Sequence, residues 1–441
     1  MKKLLLLSLA ITGFSAQAQF WTPKATTFTT VSRGVNDISI VDDNVVWVKA
    51  YDGSGGADQT VKQYARSVDG GNTWTSGNIN LGLGTGFATL GIGGITAVSA
   101  TTAWVAAYPN ASTLGGIWKT ENGGTLWTKQ PTALFSGSDS FANLVYFWNA
   151  NDGFCQGDPD GGYFELYTTT NGGTNWVRVP QANIPAMLAG EYGYVHNYET
   201  IGNTIWMGTN KGRMFKSLDK GMNWTVAQTP LTDFAGTASA GTYTFSDQNK
   251  GMIANSTTGK LYSTQDGGAT WTMLPAVGVY FTDIAYVPGT STVVANGTAD
   301  ISYGSYYSYD DGATWNVAEE GTQFTVLAIK NATTAFAGGF TTSASAGGIY
   351  KYTGTALKTA NFNMGELKLY PNPTNGLVTI TSGVALTNVE IYDFLGKRVV
   401  AQSFSSVNEA AIDMSNLSSG AYIVKATAEN GAVQTMKLMK N

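Results

Sequence analysis

An eight-residue pattern recurs six times along the chain, and its spacing constrains the fold more than any other feature. The copies run Ser67–Trp74 (SVDGGNTW), Thr120–Trp127 (TENGGTLW), Thr169–Trp176 (TTNGGTNW), Ser217–Trp224 (SLDKGMNW), Thr264–Trp271 (TQDGGATW) and Ser308–Trp315 (SYDDGATW). Successive tryptophans lie 44 to 53 residues apart, the length of one four-stranded β unit. The chemistry of the pattern is that of a tight turn. An Asp or Asn accepts hydrogen bonds from the backbone of its own turn, Gly supplies positive φ, and Trp buries a large apolar area. Asp69, Trp74, Asn122, Trp127, Asn171, Trp176, Asp219, Trp224, Asp266, Trp271, Asp310 and Trp315 are therefore read as structural.

A second repeat precedes each of these boxes: apolar strand, polar turn, apolar strand. Ile38–Trp47 and Ile95–Trp104 are two copies, and others end at Phe154, Trp206, Ile253 and Val294. A seventh, Val326–Phe336, follows the last box, and Gly348–Thr353 matches Gly116–Thr120, but no Trp strand follows. Seven inner hairpins and six outer ones imply seven blades, the last completed by Phe20-Trp21-Thr22, which resembles the strands opened by Trp74, Trp127, Trp224 and Trp271. Such closure removes a free sheet edge. The fold class expected is all-β: a seven-bladed β-propeller followed by a small Ig-like β-sandwich. The high glycine count, 54, and a charged fraction of only 12% agree with a turn-rich β protein.

The boxes resemble the Asp box (S/T-x-D-x-G-x-T-W) of sialidases, sortilin-type receptors, xyloglucanases and photosystem assembly propellers. Sialidase activity is not expected. That chemistry needs an arginine triad, and the propeller holds only Arg33, Arg66, Arg178 and Arg213, without an F/Y-R-I-P motif. After residue 355 the character changes. Leu369–Gly376 (LYPNPTNG), Val389–Lys397 (VEIYDFLGK), Leu417–Lys425 (LSSGAYIVK) and the terminal Met436–Asn441 resemble the type A sorting domain of the type IX secretion system of Bacteroidetes. That resemblance implies the secretion machinery as a partner, passage across the outer membrane, and display on the cell surface or release.

Export is also written at the other end. Lys2 and Lys3 precede the apolar run Leu4–Leu9, and Ala16-Gln17-Ala18 offers a cleavage site. The domains expected are a signal peptide at 1–18, a propeller at 19–354, a linker at 355–365 and the sorting domain at 366–441. No later stretch is apolar enough to span a bilayer as a helix. The single cysteine, Cys155, is read as a small buried hydrophobe. A net charge of -5 without a basic cluster argues against a nucleic-acid partner.

Two long segments stand out on the face opposite the boxes, where propellers open their channel mouth. Gly157–Glu165 and Val179–His196 place Asp158, Asp160, Glu191, Tyr192, Tyr194 and the sole histidine, His196, near one another. Carboxylates mixed with aromatic rings suit a sugar: acids meet hydroxyls and rings stack. For a glycosidase, Asp158 or Asp160 would pair with Glu191 as acid and base or nucleophile, with Asp158 and Glu191 expected within about 10 Å and accessible at the mouth, and Asp52, Asp58, Asp300, Glu319 and Glu320 are further acids of that face. Asp-Pro-Asp-Gly is also an oxygen set that Ca²⁺ accepts; no other metal or cofactor is expected. No catalytic residue is assigned, for the chain lacks a GxSxG elbow, HExxH and a P-loop. The function expected is a secreted or surface module binding a glycan or protein, and the alternative is a polysaccharide-acting glycoside hydrolase using paired carboxylates.

Overall fold

The computed structural model describes residues 20–56, 58, 60–82, 85–109, 115–137, 139–236, 239–297, 303–354, 357, 367–428 and 433–441. The expected signal peptide, Asp300 and all of the expected linker except Leu357 lie outside these residues. The chain divides into two compact units, Met1–Leu357 and Lys358–Asn441.

The first unit is built from short antiparallel sheets in which consecutive strands pair. One blade, for example, runs Ala142–Phe147, Gly153–Asp160, Tyr163–Thr169 and Val177–Arg178. Among the described residues the unit holds six sheets, because one of them is eight-stranded. That sheet joins the strands of residues 33–78 to those of residues 327–352 through one cross-strand pair, Gly34 with Phe340. Divided at that pair it gives two four-stranded halves, which reconciles seven hairpins in the sequence with six sheets. The second half is completed by the N-terminus. Trp21–Ala25 runs antiparallel to Ala346–Tyr352, with Trp21 opposite Tyr352 and Pro23 opposite Tyr350. Trp21 is fully buried among Phe20, Phe324 and Tyr352, and its indole N–H donates to Ser305 Oγ at 2.9 Å.

The six boxes fold as closed hydrogen-bond systems. In the first, Asp69 Oδ1 accepts from the backbone amides of Asn72 (3.0 Å) and Thr73 (2.9 Å), and Thr73 Oγ1 donates to Asp69 Oδ2 at 2.6 Å. Ser67 Oγ donates to Asp69 Oδ1 and accepts from the Gly71 amide, both at 2.8 Å. The Trp74 indole then closes on the Gly71 carbonyl at 3.1 Å. Gly70 and Gly71 have φ of 70° and 82°, a region in which a side chain is strained. The same Ser/Thr-to-Asp/Asn bond recurs at Asn122, Asn171, Asp219, Asp266 and Asp310. The indole-to-glycine bond recurs at Trp127, Trp224, Trp271 and Trp315, whereas Trp176 Nε1 is buried without an acceptor.

Apolar side chains fill the space between neighbouring sheets. Trp104 stacks on Phe147 at 3.5 Å between ring centroids, and Trp206 on Phe245 at 3.8 Å. Cys155 is fully buried in one of these layers. Leu357 is buried as well, and its amide donates to the Tyr352 hydroxyl at 2.7 Å.

The second unit is a β domain of five strands, Lys368–Tyr370, Leu377–Tyr392, Arg398–Asp413, Gly420–Ala428 and Val433–Lys440. Hydrogen bonds join them into one connected sheet through the long Leu377–Tyr392 strand. The central strand, 16 residues long, explains this: it serves both ends of the domain, with its register broken between Thr381 and Leu386, and such irregularities bend a strand. Val378, Ile380, Val389, Ile391, Val424 and Leu438 form its core. Asn372, in the Pro-Asn-Pro segment, clamps the outer edge of the last strand by accepting from Met439 N and donating to Lys437 O, both at 2.9 Å.

Candidate functional site

The first strand of each blade lines a common channel of about 870 Å³, walled by segments 38–41, 96–98, 146–150, 196–201, 241–245, 283–286 with Pro288, and 326–330. Side chains on these strands hold the blades to one another. Ser39 Oγ accepts from Ala97 N at 2.9 Å, Thr244 Oγ1 from Tyr286 N at 3.0 Å, and Asp283 Oδ2 from Leu327 N at 2.7 Å. Several of these strands carry a register shift near the mouth, as between Val35 and Asp37 and between Phe281 and Asp283. Such a shift turns the next side chain toward a neighbour.

The two segments singled out in the sequence do meet, because the Gly193 amide donates to Asp158 Oδ1 at 3.0 Å. Asn143 Nδ2 donates to the same oxygen at 2.7 Å. Burial nevertheless dominates and raises the Asp158 carboxyl to about 6. Asp160 turns away to Arg178, whose Nη2 donates to its carbonyl at 2.7 Å while Nη1 lies 3.4 Å from Oδ2. Tyr192 is exposed and packs edge-to-face against Tyr194, whose hydroxyl donates to Asp233 Oδ1 at 2.5 Å.

Glu191 corrects the expected acid pair. Its side chain has no exposure, and Arg213 grips both of its oxygens, at 2.9 Å through Nε and 2.6 Å through Nη2. Thr209 Oγ1 and the Leu188 amide add bonds of 2.7 and 2.8 Å. Burial pushes its carboxyl up, but Arg213, Leu188 and Thr209 together outweigh that and hold it below the ordinary value. The sequence gives no direct sign of this, since Arg213 lies 22 residues away on the next hairpin. A carboxylate so enclosed cannot share a sugar with Asp158 at the mouth.

The further acids of the mouth face are mostly engaged within their own turns. Asp52 accepts from Ser54 and Asp58 N, Asp58 from Thr60, and Glu319 from Thr322. Among the described residues no group of His, Cys, Asp or Glu is arranged to hold a metal ion.

His196 departs from the other five candidates and faces a group that sequence reasoning missed. It sits at a register shift with φ of 55°, a conformation costly for a residue other than glycine, and packs against Tyr198 at 5.3 Å. Its Nδ1 lies 3.3 Å from Asp37 Oδ2, which also accepts the Ile95 amide at 2.6 Å. Burial raises the Asp37 carboxyl, opposed by His196, the Ile95 amide and Lys49. Farther down the wall, burial raises Glu199 to about 7 and Asp283 to about 6. Glu199 is dense in protein neighbours yet partly open to the channel. A signal for these acids was present: Asp37-Ile38 and Asp283-Ile284 place an acid before the same apolar residue in two inner strands. Aligning the inner strands with one another, rather than the boxes, brings it out.

Residues 368–441 match the family of secretion system C-terminal sorting domains, and residues 112–274 match the family of the photosynthesis system II assembly factor YCF48. Compared with the curated proteins, the chain matches none. Among solved structures it is similar to YCF48 bound to D1 peptide, at 15% identity and a TM-score of 0.53 over 76% of this chain and 96% of that one. It is equally similar to YCF48 from Cyanidioschyzon merolae, at 16% identity and 0.53 over 75% and 98%. The GH74 enzyme of Niastella koreensis aligns at 13% identity and a TM-score of 0.45 over 92% and 66%. The sorting match points to handling by a secretion system and to an outer-surface or secreted location. No helix among the described residues is long and apolar enough to cross a membrane. The chain thus joins a β-propeller similar in fold to YCF48 to a C-terminal β domain that matches the secretion-system sorting family.

Proposed function

We propose that this protein is a seven-bladed propeller exported by the type IX secretion system and used outside the cell as a glycan-binding module. The observation that supports the reading is the composition of the channel wall. Tyr146, Trp148, Tyr198 and Tyr243 alternate there with His196, Glu199 and hydroxyl side chains. Rings offer stacking faces and the polar groups offer hydrogen bonds to hydroxyls, the usual division of labour in a sugar site. The hydrolase alternative loses its acid pair, because Glu191 is committed to Arg213. A protein ligand would use the mouth instead, where Tyr192, Val195 and Leu188 are exposed. An array of neutral and charged glycans, probed with the purified propeller, tests the reading. Retention of a defined glycan supports it, and a blank array with a correctly folded protein rejects it.

Export has its own test. Removing Leu367–Asn441 should leave a folded propeller that stays in the periplasm. Normal amounts of the truncated protein outside the cell would reject this route.

A further inference from the structure

A second cleft, of about 490 Å³, opens beside the sheet of residues 33–78, where the chain crosses to the strand Gly91–Ala97. Its wall includes Arg33, Asp58, Lys62, Gln63, Leu81 and Phe87, and it shares no lining residue with the channel. Small-ligand sites span about 300–1,000 Å³, so a single sugar ring fits.

Two polar side chains in this wall are unengaged. Arg33 opens the strand Arg33–Ile40, and its Nε is buried without a hydrogen-bond partner. Among the described residues its guanidinium forms no ion pair. Asp52 lies opposite it across the sheet, yet the two Asp52 oxygens accept from Ser54 and from Asp58 N, and Asp58 accepts from Thr60. Gln63 opens the strand Gln63–Ser67, and its Oε1 is buried with no donor. Lys62 differs from both: its Nζ donates to the carbonyls of Thr60 and Ala88 at 2.9 Å each. Polar atoms buried without partners are costly, so a partner from outside the chain stabilises them.

We propose that this cleft binds a hexuronic acid of an acidic glycan, with Arg33 holding its carboxylate and Gln63 a neighbouring hydroxyl. The two unengaged groups select this class. A carboxylate accepts a forked pair of N–H bonds from a guanidinium but has no hydrogen to give Gln63. A hydroxyl satisfies an amide either way, as donor to its oxygen or acceptor from its nitrogen. The ligand must carry both groups side by side, as a sugar acid does. A phosphate dianion would bring a second charge toward Asp58 and Asp52, while Lys62 is held by its two carbonyls. The apolar face of the sugar ring would meet Phe87, which stands edge-to-face against Trp118 with centroids 6.5 Å apart.

This site stands apart from the channel and does not rest on the reading of it. The full chain, Arg33→Gln and Gln63→Met are titrated by saturation-transfer NMR with glucuronate, galacturonate and mannuronate, each against its methyl ester, and with glucose 6-sulfate. At least one hexuronate should bind the wild type. Its methyl ester should bind about tenfold more weakly, and Arg33→Gln should lose about tenfold or more in affinity for the acid, as loss of a charge-assisted bond implies. The melting temperature of Arg33→Gln should be unchanged, and Gln63→Met should show a smaller loss of affinity. Binding of no hexuronate, or equal affinity of wild type and Arg33→Gln, overturns the site and assigns the two bare atoms to water. Binding of the sulfate alone overturns the carboxylate class. If Arg33→Gln does not fold, Gln63→Met decides. Neutral glycans retained equally by wild type and Arg33→Gln report on the channel alone, so failure of either reading shows separately.

Discussion

At the scale of the residue, the acids divide into two populations with opposite effects on stability. The carboxyls of Asp69 and Asp266 are held at about 2, chiefly by the side chains of Thr73 and Thr270. Their contribution is complete above the unfolded value near 4 and disappears as pH falls through about 2. Asp158, Glu199 and Asp283 are raised by burial to between about 6 and 7, so the fold favours their protonated forms. Their contribution is complete below the unfolded value near 4 and is lost as pH rises through that window. The melting temperature should therefore peak near pH 4 to 5 and decline toward pH 7. A fluorimetric scan from pH 2 to 8 that shows a steady rise through neutrality would mean these acids ionise freely in the folded state. Two variants sharpen the contrast. Glu191→Gln strands Arg213 without its counter-ion and should cost about 3–5 kcal/mol in a denaturant melt. Asp158→Asn keeps the Oδ1 that accepts from Asn143 and Gly193, and at pH 7 it should match or exceed the wild type in stability.

At the scale of the element, the box behaves as a self-sufficient turn. Asp69→Ala removes an acceptor shared by two amides and two hydroxyls, and about 1–3 kcal/mol should be lost. Glycan retention by the surviving folded protein should not change, and a stable variant that had lost retention would show that the boxes bind ligand. These turns were legible in the sequence because everything they need lies within eight residues. The blades were legible for the same reason, since each repeats a local pattern of strand, turn and strand. The candidate site was legible only in part. Asp158 and Gly193 come together because the strand order dictates it, whereas the pairing of Glu191 with Arg213 depends on which way a side chain turns from a connection. Asp37 stayed hidden because its signal, the acid before isoleucine that it shares with Asp283-Ile284, emerges only when the inner strands are aligned with one another. The C-terminal β domain was legible from its alternating apolar segments, but not the length of its strands, since two of them run on for 16 residues through breaks in register that leave no local mark.

At the scale of the whole molecule, closure rests on a short N-terminal strand. Trp21→Ala should cost about 3–5 kcal/mol, because the indole is fully buried and leaves a cavity that the three rings packed on it cannot fill. Deleting Phe20–Thr27 should lower the melting temperature further, and an unchanged melt would show that the last blade is stable with three strands. The same strand governs when the protein can be finished. Thr22 and Thr353 join at 2.8 Å across a separation of 331 residues. The interior blades each need only contiguous sequence and are free to form one after another as the polypeptide emerges. The ring has to wait for its final hairpin, and then recruits the residues that emerged first. Searching for so distant a contact makes the concluding step slow relative to blade formation. However the chain is delivered, it remains an open row of blades until Ala346–Tyr352 arrives to take up the first strand, and the ring is sealed only then.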